Sequence, residues 1–287
     1  MEVITDKTQL RKRLRAQKNK QKKIAFIPTM GNLHDGHLSL IDIAKNYSDC
    51  VVVSIFINPT QFLEGEDYDT YPRTIESDFS QLKNKGVSFV FAPEVNEIYP
   101  SQEQIVKISL PELSSKLCGK VRYGHFDGVA SVVLRLFNII RPDISIFGNK
   151  DYQQKIILQQ MVADLSLDIK IIGGEIIREE DGLAMSSRNQ FLSKSSRLKA
   201  KSLYSVLCES KKLINKGNKN FDFIECFGKK ELEKNGFLVD YFSIREKFSL
   251  KKTTNRNNLI ILASGVIDKV RLIDNILVDQ KETNCVD

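Results

Sequence analysis

Short apolar runs alternate with amphipathic segments through residues 1 to about 175. The runs are rich in valine and isoleucine and are continuous rather than strictly alternating, which is typical of strands buried on both faces of a sheet. Such strands are parallel and are joined by crossover helices. Six strands are predicted in this region, at residues 24–27, 50–57, 87–91, 105–108, 144–147 and 169–172.

Helical segments fit between several of these strands. Residues 38–47 carry apolar side chains at positions 38, 40, 41, 44 and 47, roughly along one helix face, and residues 128–140 are the most apolar such segment. Beyond about residue 174 the sequence becomes lysine-rich and helical, with three short strands at 237–244, 259–264 and 270–273. The pattern predicts an α/β fold, with a doubly wound parallel sheet in residues 1–175 and a smaller C-terminal domain in residues 176–287.

Much of the net charge of +7 comes from a few basic segments. Residues 11–23 contain eight basic side chains but no aromatic residue. Nucleic-acid grooves place aromatic side chains among the basic ones, so we interpret this run as the solvated face of an N-terminal helix. No nucleic-acid partner is expected, although general basicity favours the approach of an anionic nucleotide.

Cysteine use and hydropathy indicate a reducing, aqueous compartment. The chain has five cysteines, which are scattered without the paired spacing of a disulfide framework or a metal site. No apolar run approaches the roughly 18 residues of a membrane span, and the region around Glu2 and Asp6 lacks the apolar core of a secretion signal. We therefore expect a cytoplasmic protein with no membrane partner.

Polar residues and glycines follow four of the predicted strands, where ligands collect in doubly wound sheets. They are Gly31, His34, Gly36 and His37 after the first strand, Asn58 and Gln61 after the second, Lys150 and Asp151 after the fifth, and Ser186, Ser187 and Arg188 beyond the sixth. Because the carboxyl ends of parallel strands share one edge of the sheet, we expect these four groups to face one site.

The side chains in these groups suit a phosphorylated ligand and a polar substrate. His37 falls near the first turn of the next helix, where free N–H groups favour an anion and an imidazole donates to phosphate oxygens. Lys150 supplies a point charge and Arg188 supplies charge-assisted hydrogen bonds. Asn58 and Gln61 are neutral amides suited to a polar or carboxylate-bearing substrate. A helix N-terminus lowers a histidine pKa while a triphosphate raises it, so the sequence leaves the histidine protonation states open.

An ordinary surface turn and a zinc site are the alternatives for the spacing His34-x-x-His37, which by itself is a weak signal. Zinc needs a third and usually a fourth ligand, yet the other histidine, His125, lies about ninety positions away, and the sequence has no Cys-x-x-Cys pair. The surrounding residues therefore favour a nucleotide phosphate over zinc.

Six motifs occur in an order that is specific to one enzyme family. They are PTMGNLHDGH at 28–37, FINPTQF at 56–62, YPRT at 71–74, GHF at 124–126, GNKDYQQ at 148–154 and DGLAMSSRN at 181–189. Through them, residues 24–193 resemble the pantothenate synthetases, which are pantoate–β-alanine ligases of the nucleotidylyltransferase superfamily. The resemblance implies a Rossmann-like N-terminal domain and a C-terminal α/β lid that carries residues 185–188 over ATP. Closure of such a lid keeps water from a hydrolysable acyl adenylate.

The resemblance also implies a two-step reaction. Pantoate and ATP form pantoyl adenylate and pyrophosphate, and β-alanine then displaces AMP to give pantothenate. Mg²⁺ is the expected companion of ATP, and a homodimer is expected because the family is commonly dimeric. The sequence offers no obvious general base for the amine, so positioning is expected to dominate the second step.

The resemblance assigns roles to particular residues. The expected catalytic residues are His34, His37, Lys150 and Arg188. The expected ATP-binding residues are Met30, Gly31, Asn32, Leu33, His34, Asp35, Gly36, His37, Gly148, Asn149, Lys150, Asp151, Ile177, Met185, Ser186, Ser187 and Arg188. The expected substrate-binding residues are Asn58, Gln61, Gln154 and His125, with Met30 also beside pantoate. Asp78 and Gln81 match the family's magnesium region, where Mg²⁺ is expected to be held mainly by phosphates and water.

Three positions depart from the family pattern. Ser77 stands where a second acid is usual beside Asp78, Asp127 replaces a basic residue close to His125, and Asn149 replaces an acid. These departures predict altered loop contacts rather than lost activity. Two other functions stay open at this point. One is a nucleotidylyltransferase that stops after nucleotidyl transfer, and the other is a nucleic-acid-binding module that uses the basic N-terminal helix.

Overall fold

The computed structural model describes residues 1–101 and 106–278. Within these ranges the strands are β1 (Glu2–Ile4), β2 (Ile24–Thr29), β3 (Cys50–Ile55), β4 (Phe89–Phe91), β5 (Ile144–Gly148), β6 (Lys170–Gly174), β7 (Leu238–Glu246), β8 (Leu259–Ile267) and β9 (Val270–Val278). The helices are α1 (Lys7–Lys18), α2 (Asp35–Lys45), α3 (Ile75–Asn84), α4 (Val95–Ile98), α5 (Pro111–Ser114), α6 (Leu117–Val121), α7 (His125–Ile140), α8 (Tyr152–Asp164), α9 (Lys194–Ala200), α10 (Ser202–Asn215) and α11 (Phe221–Lys234). Short 3-10 helices cover Pro59–Gln61, Asn149–Asp151 and Ser187–Phe191.

Strands β1 to β6 form a parallel sheet in the order β1-β4-β3-β2-β5-β6. β2 pairs with β3 along all six of its residues, but with β5 only at Ala25↔Ile144 and Phe26↔Ser145. The chain passes from β2 to β3 on one side while β5 lies on the other side, so the strand order reverses at the β2–β5 boundary. Because β2 and β5 part after two paired residues, a crevice opens between their carboxyl ends.

Helices cover both faces of this sheet, which explains why its strands are continuous apolar runs. Successive side chains of β2 point to opposite faces. Ile24 and Phe26 lie in the core that contains α7, whereas Ala25 and Ile27 lie in the core that contains α2. Residues of α7 are buried along most of its length, as expected for the most apolar helical segment. The predicted doubly wound parallel α/β fold is confirmed.

Strands β7, β8 and β9 form a second, antiparallel sheet in that order. Buried residues such as Leu207 of α10, Ile224 of α11 and Ile261 of β8 join this sheet to its helices. The sequence therefore predicted a smaller C-terminal α/β unit correctly.

The two last strands are longer than predicted. β8 and β9 run to Ile267 and Val278 and are joined by Asp268 and Lys269, whose φ angles of 53° and 65° fit a two-residue hairpin turn. The predicted strand 270–273 stopped early because polar residues at 274 and 275 interrupt the apolar pattern, although both are buried.

One predicted strand of the parallel sheet is wrong. Of residues 105–108, Ile105 lies outside the described residues and 106–108 form no strand. Instead, the Ile108 N–H donates to Ser131 Oγ on α7 at 2.8 Å, so this segment binds the helix rather than a strand. The sheet gains β1 at its edge, which at three residues is too short for a periodic pattern to reveal.

The N-terminal helix is amphipathic, as predicted, although its bounds differ. It begins at Lys7, where Asp6 Oδ1 accepts the Gln9 N–H at 2.6 Å, and it ends at Lys18 before the last basic residues of the run. Leu10 and Leu14 are buried, while most of the basic side chains are exposed. In the described ranges, no helix is long and apolar enough to cross a membrane.

Gly128 allows α7 to pack against the loop after β3. A Cβ at Gly128 would lie 2.2 Å from the Thr60 carbonyl oxygen, so Gly128→Ala must push these two backbones apart. We expect urea denaturation to show an unfolding free energy lower by about 1–3 kcal/mol. Gly148→Ala is a matched control, since its Cβ would meet no atom within 4 Å and its φ of −69° suits alanine. Equal stability of the two variants would contradict this packing.

Candidate active site

Two adjoining cavities lie where β2 and β5 part. The smaller, of about 210 Å³, lies between the loop after β2 and the turn after β5, and the larger, of about 610 Å³, extends to β9. Lys150, Asp151 and Gln154 line both cavities, so the two meet at the turn after β5. All four polar groups predicted at the strand ends contribute lining side chains.

The expected ATP-binding residues divide into three sets. The smaller cavity is lined by Met30, His34, Gly36, His37, Gly148, Lys150, Asp151, Ile177 and Met185. The larger cavity is lined by Ser186 and Arg188 together with Lys150 and Asp151. The remaining expected residues, Gly31, Asn32, Leu33, Asp35, Asn149 and Ser187, lie outside both linings and shape the backbone around them.

A buried carboxylate holds the loop after β2. Asp78 of α3 is 1% exposed, and its two oxygens accept the N–H groups of Asn32 and Leu33, each at 2.9 Å. Thr74 Oγ1 also donates to Asp78 Oδ1, at 3.2 Å. These bonds leave Asp78 little capacity to coordinate a metal, and Gln81 Nε2 contacts only Ser77 Oγ, at 3.4 Å. Asp78 therefore supports the loop after β2, and its expected role beside Mg²⁺ stays a prediction.

Main-chain N–H groups orient the two histidines. His34 is the N-cap of α2, and its Nδ1 accepts from the Gly36 N–H at 3.2 Å. His37 Nδ1 accepts from the His34 N–H at 3.4 Å, and the ring centroids lie 4.1 Å apart. Because each Nδ1 is an acceptor, the proton of each neutral ring lies on Nε2. Two Nε2–H groups are thus available to donate to a ligand in the crevice.

Both histidines are neutral at pH 7. Burial, together with the charge of the nearby Lys150 ammonium, lowers the pKa of His34 to about 4 and the pKa of His37 to about 3. A neutral Nε2–H donates to a phosphate oxygen without carrying a charge into the crevice. The structure therefore answers the protonation question that the sequence left open.

Lys150 is the cation at the junction of the two cavities. It lies in the 3-10 turn Asn149–Asp151 between β5 and α8. Its ammonium makes no ion pair with another residue of the described ranges, and burial lowers its pKa. Because a buried cation without a paired carboxylate is costly, an anionic ligand at this point would be stabilising.

Arg188 reaches the larger cavity from the 3-10 helix Ser187–Phe191. Its Nε and Nη2 donate to Asp67 at 2.7 and 2.8 Å, which leaves both N–H groups of Nη1 and the second N–H of Nη2 as further donors. Ser186 Oγ accepts the Arg188 N–H at 3.3 Å, and Ser187 Oγ donates to the Asn32 carbonyl at 3.2 Å. The segment 186–188 is therefore tied to the loop after β2, opposite the histidines.

Asn58 is committed to the loop after β3. It is 1% exposed, and its Nδ2 donates to Gln61 Oε1 at 3.1 Å and to the Gly128 carbonyl at 3.2 Å. Its Oδ1 accepts from the Tyr99 hydroxyl at 2.8 Å and from Thr60. Both amide hydrogens are used, so Asn58 supports Gln61, and its expected direct contact with substrate stays a prediction.

Gln61 and Gln154 keep donors that can reach a substrate. Gln61 Nε2 donates to Met30 Sδ at 2.9 Å, which leaves its second N–H for a ligand. Gln154 lines both cavities, and its side chain makes no hydrogen bond to another described residue. These two amides are therefore the neutral donors of the crevice.

His125 supports Gln61 rather than a substrate. Its Nδ1 donates to the Gln61 carbonyl at 2.6 Å, and its Nε2 accepts from Arg122 Nη1 at 2.9 Å. Arg122 in turn makes a bidentate ion pair with Glu66 at 2.5 and 2.7 Å. Burial, together with the Arg122 charge, lowers the pKa of His125 to about 4. Both ring nitrogens are used within the protein, and the expected substrate contact of His125, which lines the larger cavity, stays a prediction.

Known proteins of one enzyme family are similar to this chain along nearly its whole length. Residues 2–277 match the family model described as pantoate-beta-alanine ligase. The pantothenate synthetase of Nitrosococcus oceani is 42% identical over 286 residues, covering 99% of this chain and 100% of that relative. The pantothenate synthetase of Pseudomonas savastanoi pv. phaseolicola is 44% identical over 278 residues, covering 96% and 98%. This chain belongs to the pantoate–β-alanine ligase family.

Solved structures of the family have the same fold. Pantothenate synthetase from Thermus thermophilus superposes with a TM-score of 0.91 at 37% identity, covering 97% of this chain and 99% of that chain. Pantoate-beta-alanine ligase from Francisella tularensis, solved with beta-gamma ATP and β-alanine, has a TM-score of 0.81 at 35% identity, covering 97% and 98%. The resemblance inferred from the six motifs is confirmed.

The three departures from the family pattern lie in different parts of the structure. Asn149 Oδ1 accepts from Lys155 Nζ at 2.7 Å, so a neutral amide contacts a lysine where an acid is usual in this ligase family. Ser77 Oγ contacts Gln81 alone among the side chains described around it. Asp127 lies in the first turn of α7, where a negative charge suits the helix dipole.

Sequence reasoning missed two residues that hold Arg188 and the turn of Lys150. Asp67 pairs with Arg188, and Asn275 of β9 donates to the carbonyl oxygens of Asn149 and Lys150. Asp67 lies in the loop directly before the ligase YPRT motif, so an acid there was a weak signal. Asn275 carried none, because it comes from a strand of the other sheet, more than a hundred residues from Lys150.

Asp78→Asn tests whether this residue supports the loop after β2. The substitution places an amide where a carboxylate accepts two backbone N–H groups, so we expect the unfolding free energy to fall by about 1–3 kcal/mol. Urea denaturation without Mg²⁺ measures this loss, with Gln81→Ala as the unaffected control. Unchanged stability without Mg²⁺, together with a raised Mg²⁺ requirement, would return Asp78 to the metal role.

The neutral histidines predict a pH-dependent stability. Because each histidine pKa is lower in the folded chain, the histidines of the unfolded chain bind protons below about pH 6.5. The same histidines in the folded chain bind protons only near about pH 4. Stability should be fully present above pH 6.5 and should fall as pH decreases, by up to about 2 kcal/mol per histidine at pH 5. Urea denaturation from pH 7.5 to 5 measures the slope. His34→Asn, which keeps an N-cap acceptor, should lower the slope by one proton, and a flat wild-type profile would contradict the neutral state.

Proposed function

We propose that this chain condenses pantoate with β-alanine in an ATP-dependent reaction, giving pantothenate, AMP and pyrophosphate through pantoyl adenylate. The observation that carries the proposal is the crevice between β2 and β5. There, two neutral histidine Nε2–H donors, a lysine without an ion pair and uncharged amides line a cavity of about 210 Å³. Membership of the ligase family and the Francisella tularensis relative solved with beta-gamma ATP and β-alanine support the same reaction.

In the first step, a carboxylate oxygen of pantoate attacks the α-phosphorus of ATP. The bond from the α-phosphorus to the bridging oxygen breaks, and pyrophosphate leaves with the electron pair. Negative charge grows on the phosphate oxygens, where His34, His37 and Lys150 would stabilise it with donors that are already oriented. Arg188 Nη1 and the Ser186 hydroxyl would act from the opposite side. Gln61 and Gln154 would orient pantoate in line for attack.

In the second step, the amine nitrogen of β-alanine attacks the acyl carbon of the adenylate. The bond from that carbon to the AMP oxygen breaks, AMP leaves with the electron pair, and the amine nitrogen gives one proton to water. Histidines with pKa values of about 4 and 3 are weak bases at pH 7. The step therefore depends on holding a neutral amine against the acyl carbon, for which the free N–H of Gln61 suits the β-alanine carboxylate.

Mg²⁺ would accompany ATP rather than sit in a protein cage. In the described ranges, no cluster of three or more histidine, cysteine, aspartate or glutamate residues could hold a metal, and Asp78 is committed to backbone N–H groups. The donors present do not fit a protein-held ion. Mg²⁺ would instead be bound by phosphate oxygens and water.

The wider organisation of the enzyme is part of the same proposal. Residues 1–175 would form the ATP- and pantoate-binding domain, and residues 176–287 would form a lid that keeps water from the adenylate. The enzyme would act as a cytoplasmic homodimer.

Pantoate-dependent exchange of labelled pyrophosphate into ATP tests the proposed function. The wild-type enzyme should exchange label only when pantoate is present, because pyrophosphate is released on forming the adenylate. His37→Ala and Lys150→Ala should each lower this rate by about 10²–10³, as the loss of one oriented donor does elsewhere. Lys252→Ala, on an exposed loop, is the matched control. ATP binding without any exchange would overturn the adenylate mechanism, and exchange without pantoate would favour a simple nucleotidylyltransferase.

A further inference from the structure

The turn that carries Lys150 is held by the C-terminal sheet. Asn275 of β9 donates from Nδ2 to the carbonyl oxygens of Asn149 at 2.9 Å and of Lys150 at 3.0 Å. A primary amide has two N–H groups, and both are used here. Asn275 is 4% exposed, so water does not compete well for these bonds.

A second contact fixes β9 at the same place. Asp274 is 2% exposed and accepts from the two terminal nitrogens of Arg178 at 2.6 and 2.9 Å. Arg178 follows β6 and stacks on the Tyr204 ring, with its guanidinium carbon 3.6 Å from the ring centroid. Asp274 Oδ1 also accepts the Asn275 N–H at 2.8 Å. The backbone from which the Asn275 side chain projects therefore has little freedom.

Lys150 depends on this support because no described carboxylate lies within ion-pair distance of its ammonium, and the charges of Asp151 and Asp274 act on it only from farther away. Its ammonium lies on a flexible four-carbon chain and makes no ion pair with another described residue. The backbone at residue 150 therefore sets where the charge can reach. A displacement of about 1 Å at a reacting centre can cost on the order of 10²-fold in rate.

We propose that Asn275 is a positioning residue for adenylate formation, which holds the Asn149–Lys150 backbone so that the lysine ammonium meets the leaving pyrophosphate. This inference rests on the proposed function. It gives the C-terminal sheet a part in the first chemical step in addition to covering the ligands. The second step, which makes no use of the pyrophosphate, does not depend on Asn275.

Asn275→Ala separates the two steps. Pyrophosphate exchange measures the first step, and AMP release from synthetic pantoyl adenylate with β-alanine measures the second. We expect the kcat of exchange to fall by about 10- to 100-fold, with the KM for ATP changed by less than about threefold, because the lost interaction strengthens in the transition state. AMP release from the supplied adenylate should stay within about twofold of the wild-type rate.

Two control variants separate positioning from general loss of structure. Asn138→Ala also removes an amide bonded to a carbonyl, that of Leu134 at 3.1 Å, but on the exposed side of α7, and it should leave both steps unchanged. Ile261→Val trims the fully buried centre of β8 and should lower stability without slowing exchange selectively.

A double-mutant cycle with Lys150→Ala completes the test. If Asn275 acts through Lys150, then Asn275→Ala should slow the exchange of Lys150→Ala by less than about twofold. The proposal would be overturned if the two substitutions had multiplicative effects on the exchange rate of the double variant. Equal losses of rate in both steps, or exchange by Asn275→Ala at the wild-type rate, would also overturn it. If the wild-type enzyme itself shows no pantoate-dependent exchange, the proposed function fails instead, before any variant is compared.

Discussion

The early parting of β2 and β5 is the constraint on which the site depends. The two strands pair at only two positions, whereas β2 stays paired with β3 along its whole length. Their carboxyl ends are therefore separate, and each is followed by a polar segment. The loop after β2 supplies the histidines and the turn after β5 supplies Lys150. Without this crevice at the reversal of strand order, the same residues would face solvent singly.

Backbone hydrogen bonds, more than contacts among catalytic side chains, hold the crevice in shape. Asp78 binds two N–H groups of the first loop, the histidines accept N–H groups of their own turn, and Asn275 binds two carbonyl groups of the second turn. This arrangement leaves the Nε2–H groups and the lysine ammonium free for a ligand. Burial of these groups lowers the stability of the folded chain, because burial disfavours their charged forms. This cost in stability is consistent with donors that are oriented before ATP binds.

The sequence predicted the parts of this site that lie close together along the chain. Strands of the parallel sheet and the polar groups after them follow from local patterns, and both histidines were expected beside phosphates. Asn58 and His125 also lie where the sequence placed them, beside Gln61, and the hydrogen bonds that they make to neighbouring protein groups could not be predicted. Partners such as Asp67 and Asn275 could not be predicted, because only the packing of distant segments brings them to Arg188 and Lys150. The pKa values of the histidines likewise depend on burial, which no local pattern specifies.

The central claim is that pantoate attacks the α-phosphorus of ATP in this crevice. Pantoate labelled with ¹⁸O in its carboxylate tests this directly, when it is incubated with the enzyme, ATP and β-alanine and the products are analysed by mass spectrometry. The account predicts one ¹⁸O atom in AMP and none in pyrophosphate, because the attacking oxygen stays on the α-phosphorus when the amide forms. Unlabelled AMP, or label in pyrophosphate, would contradict it.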